Sequence, residues 1–179
     1  MKMRKSMLVC LSVIMIISFL QVGNLNAQHE KSKNVTVNPV GLVIGLLSVE
    51  YEKATSAKNS FAIRGNFFSR DIGGWDTTAF GAGGSYRFFP KKNAPAGFYY
   101  GPAADFIFVS TKYAGDSATG VFFSIGGEAG YKWIFKGGFV IDVGASASFA
   151  IGKVEIGAIE LDYGGFVPGL RLGLGYAFK

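Results

Sequence analysis

The chain is poor in the residues that build most catalytic centres. It holds one cysteine, Cys10, and one histidine, His29. A disulfide needs a second thiol, and a zinc site of thiolates and imidazoles needs more ligands than these two supply. A serine-type triad needs histidine as its general base, and His29 belongs to no periodic segment. No block of like charge exceeds Lys91-Lys92, which reads as a solvated turn. The formal charge is +6, of which Lys2, Arg4 and Lys5 account for three, leaving about +3 on the rest. That balance is too weak and too dispersed for a nucleic-acid partner. Beyond Leu20 no apolar run approaches the length of a membrane-spanning helix. Prolines number only five, whereas glycines number 26 and phenylalanines 17.

The beginning of the chain has an export pattern. Lys2, Arg4 and Lys5 precede an apolar run from Met7 to Leu20, and a small residue, Ala27, stands where cleavage is expected. The sequence therefore predicts a signal peptide over 1–27 and one mature domain over 28–179. Cys10 falls inside the removed segment and lies too early in the apolar run to be a lipoprotein cysteine. The mature chain is expected to carry no thiol.

The stretch from Val121 to Ile151 shows the organising pattern. Val121, Phe123, Ile125, Ala129, Tyr131, Trp133 and Phe135 share one parity, opposite Ser124, Glu128 and Lys132. After Lys136-Gly137, a second run sets Phe139, Ile141, Val143, Ala145, Ala147, Phe149 and Ile151 against Asp142, Ser146 and Ser148. Strand side chains alternate between two faces, so each run has one apolar face and one small or charged face. Ser124, Glu128 and Lys132 also fit a helical spacing. Gly126, Gly127 and Gly130 oppose it, each destabilising a helix interior by about 1 kcal/mol relative to alanine. An uncharged apolar face this long suits lipid, and the joined runs read as an antiparallel hairpin.

The same alternation recurs along the chain. Phe61 to Phe67, Thr78 to Phe88, Phe98 to Phe108 and Phe166 to Phe178 each set apolar residues against small or charged ones. Residues 35–53 are read as two short strands, near 34–41 and 45–54, broken around Pro39; one long strand is the alternative. Short connections at 54–59, 90–96 and 136–137 alternate with longer ones at 69–76, 112–119 and 152–164. Paired short turns and longer loops are the habit of transmembrane barrels. The expectation is an all-β, eight-stranded antiparallel transmembrane barrel, with glycine and small residues filling a narrow lumen.

Parity assigns the charged residues Glu50, Glu52, Arg64, Arg87, Asp105, Glu128, Lys132, Asp142 and Arg171 to the inward face. Their signs nearly balance. An unpaired buried charge destabilises by several kcal/mol, so mixed signs on facing strands favour pairing across the lumen. That predicts a barrel closed by salt bridges. The other reading of the same charges is a narrow path for small polar solutes, although a pore selecting one sign would show a biased ring. Gly81-Ala82-Gly83-Gly84 superficially matches phosphate-binding glycines but lacks the strand-to-helix context and the following lysine. Trp75, Tyr113, Trp133 and Phe135 fit an interfacial girdle. Trp75 and the acidic group Glu155, Glu160 and Asp162 are expected in loops open to a surface partner of unspecified identity.

The last strand carries a resemblance. Leu170-Arg171-Leu172-Gly173-Leu174-Gly175-Tyr176-Ala177-Phe178 resembles the closing strand of Gram-negative outer-membrane barrels, which ends in an aromatic residue read by the barrel-assembly machinery. Here Lys179 follows that aromatic. Asn38-Pro39 through Ser48-Val49-Glu50-Tyr51-Glu52 is similar to the opening of small barrels of Bacteroidota. The likeness is to the OmpA/OmpX/OmpW-like class. It implies location in the outer membrane, with its lipid and the assembly machinery as partners. Together these readings predict a non-enzymatic structural or surface-interaction barrel without cofactor. A solute channel is the second reading and a lipid-modifying enzyme the third.

Overall fold

The computed structural model describes residues 31–91, 93–113, 116–156 and 159–179. The expected signal peptide, Cys10 and His29 lie outside the described residues. The strands are β1 (Lys33–Val37), β2 (Leu46–Ala54), β3 (Asn59–Ile72), β4 (Trp75–Phe88), β5 (Gly97–Tyr113), β6 (Asp116–Ile134), β7 (Phe139–Ile156) and β8 (Ile159–Phe178). Each pairs antiparallel with its neighbours in sequence, and β1 pairs with β8, closing an eight-stranded barrel. Closure leaves no edge running the full height of the sheet.

The wall is inside-out relative to a soluble domain. Fully buried side chains include Arg87, Lys132, Glu52, Asp142, Asn34 and Ser60, whereas phenylalanines and aliphatics cover the exterior. Ile125 is 61% exposed and Leu170 89% exposed. Both follow from strand parity, because period-two alternation sends one set outward along each strand.

The structure differs from the sequence expectation in two respects. Residues 38–41 are not the end of a strand: β1 stops at Val37, and a short helix, α1 (Pro39–Ile44), joins it to β2. Its ends carry ordinary helix punctuation. Asn38 Oδ1 accepts from the Val40 and Gly41 amides at 3.1 and 3.0 Å, and Pro39 occupies the first turn. Gly45 closes the helix at φ 91°, a conformation that glycine adopts without steric penalty. The apolar residues of this stretch mask that punctuation.

The expected long connections at 69–76, 112–119 and 152–164 are mostly strand. Arg70 pairs with Thr77, Lys153 with Asp162 and Glu155 with Glu160, so the hairpins β3–β4, β5–β6 and β7–β8 continue as two-stranded ribbons. Trp75 and the group Glu155, Glu160 and Asp162 therefore stand on strands, not on loops. The β3–β4 and β5–β6 ribbons are largely polar on both faces, so hydrophobic alternation does not reveal them. The β7–β8 ribbon does alternate, Lys153, Glu155, Glu160 and Asp162 against Val154, Ile159 and Leu161, but with its charges on the parity that is apolar in the rest of the wall. Backbone pairing persists in all three.

The barrel is consequently uneven in height. The β1–β8 ladder ends with Val37 opposite Leu174, while β8 continues to Ile159 against β7 alone among the described residues. Helix α1 packs against β2 and also touches β8. We call the end bearing residues 55–58, 89–91, 93–96 and 135–138 the turn end, and the end bearing the three ribbons the tip end.

A charge network across the lumen

Every inward-facing charge expected from parity enters one cluster on the barrel axis. At the turn end the lumen is floored by Ala96, Ile134, Val140 and Ala177, beside the mutually tilted Phe89 and Tyr99 rings 5.7 Å apart. Above this floor Lys132 binds Glu52, with Asp142 Oδ2 at 3.2 Å and Asn34 Oδ1 at 3.3 Å. Asn34 donates to Glu52 at 3.1 Å, and the Ser60 hydroxyl donates to the other Glu52 oxygen.

Arg87 forms the next layer and has no exposed side-chain surface. Its Nε donates to Glu128 Oε1 at 2.6 Å and its Nη2 to Glu50 Oε2 at 2.8 Å. Its Nη1 stands 3.0 Å from Glu52 but makes no aligned hydrogen bond there, so that contact is a charge pair. Arg171 reaches Glu50 and Glu128 at 3.0 and 3.2 Å, and Arg64 reaches Glu128 at 2.8 Å. Asp105 is the outlying member, 3.6 Å from Arg64 Nε. Strands β2, β3, β4, β5, β6, β7 and β8 each contribute a charge, so the network ties opposite walls together.

Glycines make room for these long side chains. A Cβ at Gly83 would overlap the Asp105 carboxylate, and one at Gly130 would overlap the Tyr99 hydroxyl. The small residues that sequence reading placed in the lumen are thus the counterpart of its arginines.

Parity reasoning left out three members. Tyr99 shares its face with Gly101, Ala103 and Asp105, yet it stands between the more conspicuous Phe98 and Tyr100. Its ring lies 4.7 Å from the Arg87 guanidinium and 5.6 Å from that of Arg171. Its hydroxyl donates to Asp142 at 2.8 Å and accepts from Arg171. Asn34 and Ser60 complete the Glu52 pocket; each begins a strand, where alternation has little length to register.

On the tip side of this network lies a cavity of about 190 Å³ whose lining includes Ser48, Asn66, Arg64, Asp105, Ser146 and Arg171. It descends to the Arg64–Glu128–Arg171 contacts. The carboxylates bordering it lie within ion-pair distance of guanidinium groups, which leaves them poorly disposed to hold a metal. No metal-holding group of histidine, cysteine and acidic side chains occurs among the described residues.

Fold and lumen together define a small closed antiparallel β-barrel with a charged interior and an apolar exterior. Comparison of the chain with protein-family models, curated proteins and solved structures finds no match.

Proposed function

We propose that this chain is an outer-membrane barrel of the small class its closing strand resembles, exported by a cleaved signal peptide. In this reading it has a structural or surface-interaction role rather than a catalytic one. The observation that carries the reading is the inside-out distribution of side chains. Soluble monomers rarely expose contiguous apolar patches beyond a few hundred Å², whereas lipid-facing barrel walls are apolar throughout. The outward run from Val121 to Trp133 rises about 30 Å, taking ~3.3 Å per residue and a tilt near 40°. That matches the hydrocarbon core of a bilayer. No helix among the described residues is long and apolar enough to span it, and the proposed crossing is by strands.

The network supports a closed lumen. Paired guanidinium and carboxylate groups fill the axis, and an apolar floor lies beneath them. The tip-end ribbons, with Asp71, Asp76, Glu155, Glu160 and Asp162, then offer the surface for a partner. The last strand, ending Tyr176-Ala177-Phe178, is the segment for the assembly machinery to engage. The second reading, a narrow solute path, draws on the cavity above Arg64 and Arg171. Gel mobility tests the membrane-barrel reading. Unboiled protein in detergent should migrate apart from boiled protein, because a closed ladder resists unfolding. Equal mobility with a helical circular dichroism spectrum would overturn it.

A further inference from the structure

The charged residues are sorted by end. At the tip end, exposed Arg70, Lys112 and Lys153 mix with a larger set of carboxylates, Asp71, Asp76, Glu155, Glu160 and Asp162. In the lumen the two signs nearly balance. The turn end carries Lys31, Lys33, Lys53, Lys58, Lys91 and Lys136. The lumen carboxylates on this side, Glu52 and Asp142, face inward, are buried and are engaged by Lys132. Among the described residues no acidic side chain accompanies these lysines on the outer rim.

Pairing gathers the lysines onto one rim. Lys33 lies opposite Lys53 on one side and Phe178 on the other. Lys58 and Lys91 stand in the turns flanking β3 and β4, and Lys136 in the turn joining β6 to β7. The rim is also tied together: the Lys31 ammonium donates to the Lys136 carbonyl at 2.8 Å, across the β1–β8 seam. Placing like charges side by side is unfavourable in isolation; at Lys33 the ammonium is partly satisfied by the Lys179 main-chain oxygen, to which it donates at 3.2 Å.

A second feature fixes the depth of this crown. Just inside it an aromatic belt faces outward. Tyr86 and Phe88 meet at 5.2 Å, Phe88 and Tyr100 at 5.8 Å, Phe98 and Tyr100 at 6.2 Å, and Tyr131 and Trp133 at 4.6 Å. The Lys31 ammonium lies 5.7 Å over the Tyr176 ring. Amphipathic rings settle at the boundary between hydrocarbon and headgroups. Lysine side chains just beyond such a belt lay their stems along it and present ammonium groups to the headgroup layer.

We propose that the turn end binds anionic phospholipid headgroups, with the lysine crown recruiting them around the barrel from the leaflet it faces. This inference rests on the membrane-barrel reading above. A lipid leaflet fits the crown better than a soluble polyanion. The ammonium groups follow the circumference of the belt, and a pocket of about 220 Å³ at this end, between Lys91, Asn93, Tyr131 and Trp133, takes in only one of the six rim lysines.

The two tryptophans provide the test. Trp133 lies in the belt beneath the crown, and Trp75 lies at the opposite end. The full barrel, as purified from expressing cells, is reconstituted into phosphatidylcholine vesicles containing phosphatidylglycerol, with bromine on the chains of one lipid or the other. Trp75→Phe isolates Trp133, and Trp133→Phe isolates Trp75. At Trp133 brominated phosphatidylglycerol should quench in preference to brominated phosphatidylcholine by roughly fivefold at equal mole fraction, as about one engaged lysine provides. The preference should fall with added salt and vanish in Lys53→Gln/Lys58→Gln/Lys136→Gln, while Trp75 shows none. Equal quenching by the two lipids at Trp133, or the same preference at Trp75, would overturn the crown as a lipid site. Equal quenching with salt-sensitive binding of heparin would reassign it to a soluble polyanion. Quenching of neither tryptophan by either lipid would overturn the membrane reading itself, and the crown with it.

Discussion

The Tyr99 hydroxyl donates to Asp142 at 2.8 Å, joining strands β5 and β7, which are not neighbours in the sheet. The bond spans the lumen over β6, where Gly130 leaves space for the ring. It couples the wall across its interior rather than along its ladders. Tyr99→Phe keeps the ring and its contacts with the arginines but removes the donor. Loss of a buried hydrogen bond to a charged group is expected to destabilise the barrel by roughly 1.5–3 kcal/mol. Denaturant-induced unfolding in detergent or vesicles measures it.

Arg87 serves Glu50, Glu52 and Glu128 at once. Arg87→Met leaves these carboxylates without their shared cation, and breaking a buried ion pair destabilises by about 3–5 kcal/mol. Lys153→Gln removes one partner of the exposed Lys153–Glu160 pair instead and should leave the unfolding midpoint unchanged. Comparison of the two midpoints separates an interior network from surface charge. Equal shifts would contradict the layered account of the lumen.

Closure depends on a glycine at the seam. A Cβ on Gly175 would overlap the Val35 carbonyl of β1, whereas a Cβ on Gly65 would have nothing within 4 Å. Gly175→Ala should weaken the β1–β8 contact by about 1–3 kcal/mol through overpacking and lower the temperature at which the folded gel band disappears. Gly65→Ala should leave that temperature unchanged or raise it slightly, since alanine orders its unfolded chain less unfavourably than glycine.

In the proposed reading the outward face meets lipid rather than water. Ile125 sits mid-strand on that face, and Ile125→Arg should destabilise the barrel by roughly 2–4 kcal/mol when it folds into vesicles. The same change on a water-facing strand would have little effect. Folding yield in lipid vesicles, compared between the variant and the parent chain, decides which solvent the face meets.

Much of this was legible from alternation alone. In β6, Glu128 and Lys132 face the lumen while Ile125 and Trp133 face out, because hydrophobic contrast between the two faces is large there. Where contrast fades, the pattern loses its grip. Ser110 to Lys112 and their partners Ser117 to Thr119 are small or polar on both faces and read as loop, yet the backbone ladder continues through them. Pro39 to Ile44 is apolar but helical, because Asn38, Pro39 and Gly45 set its ends. Tyr99 was hidden by chemistry rather than by position: an aromatic ring suggests the lipid face, and only its neighbours Gly101 and Asp105 betray the inward one. The cross-lumen pairings themselves need the closed ring, since alternation gives a face and not a partner.

Single-channel recording tests the central claim most directly, in planar bilayers where insertion is verified by lipid quenching of Trp133 in the same preparation. An inserted wild-type barrel should be electrically silent, and Arg64→Ala or Glu128→Ala should introduce flickering current by opening the contacts beneath the cavity. Reproducible discrete openings in the wild type would contradict a lumen closed by its charge network and make those same residues the lining of a conducting path.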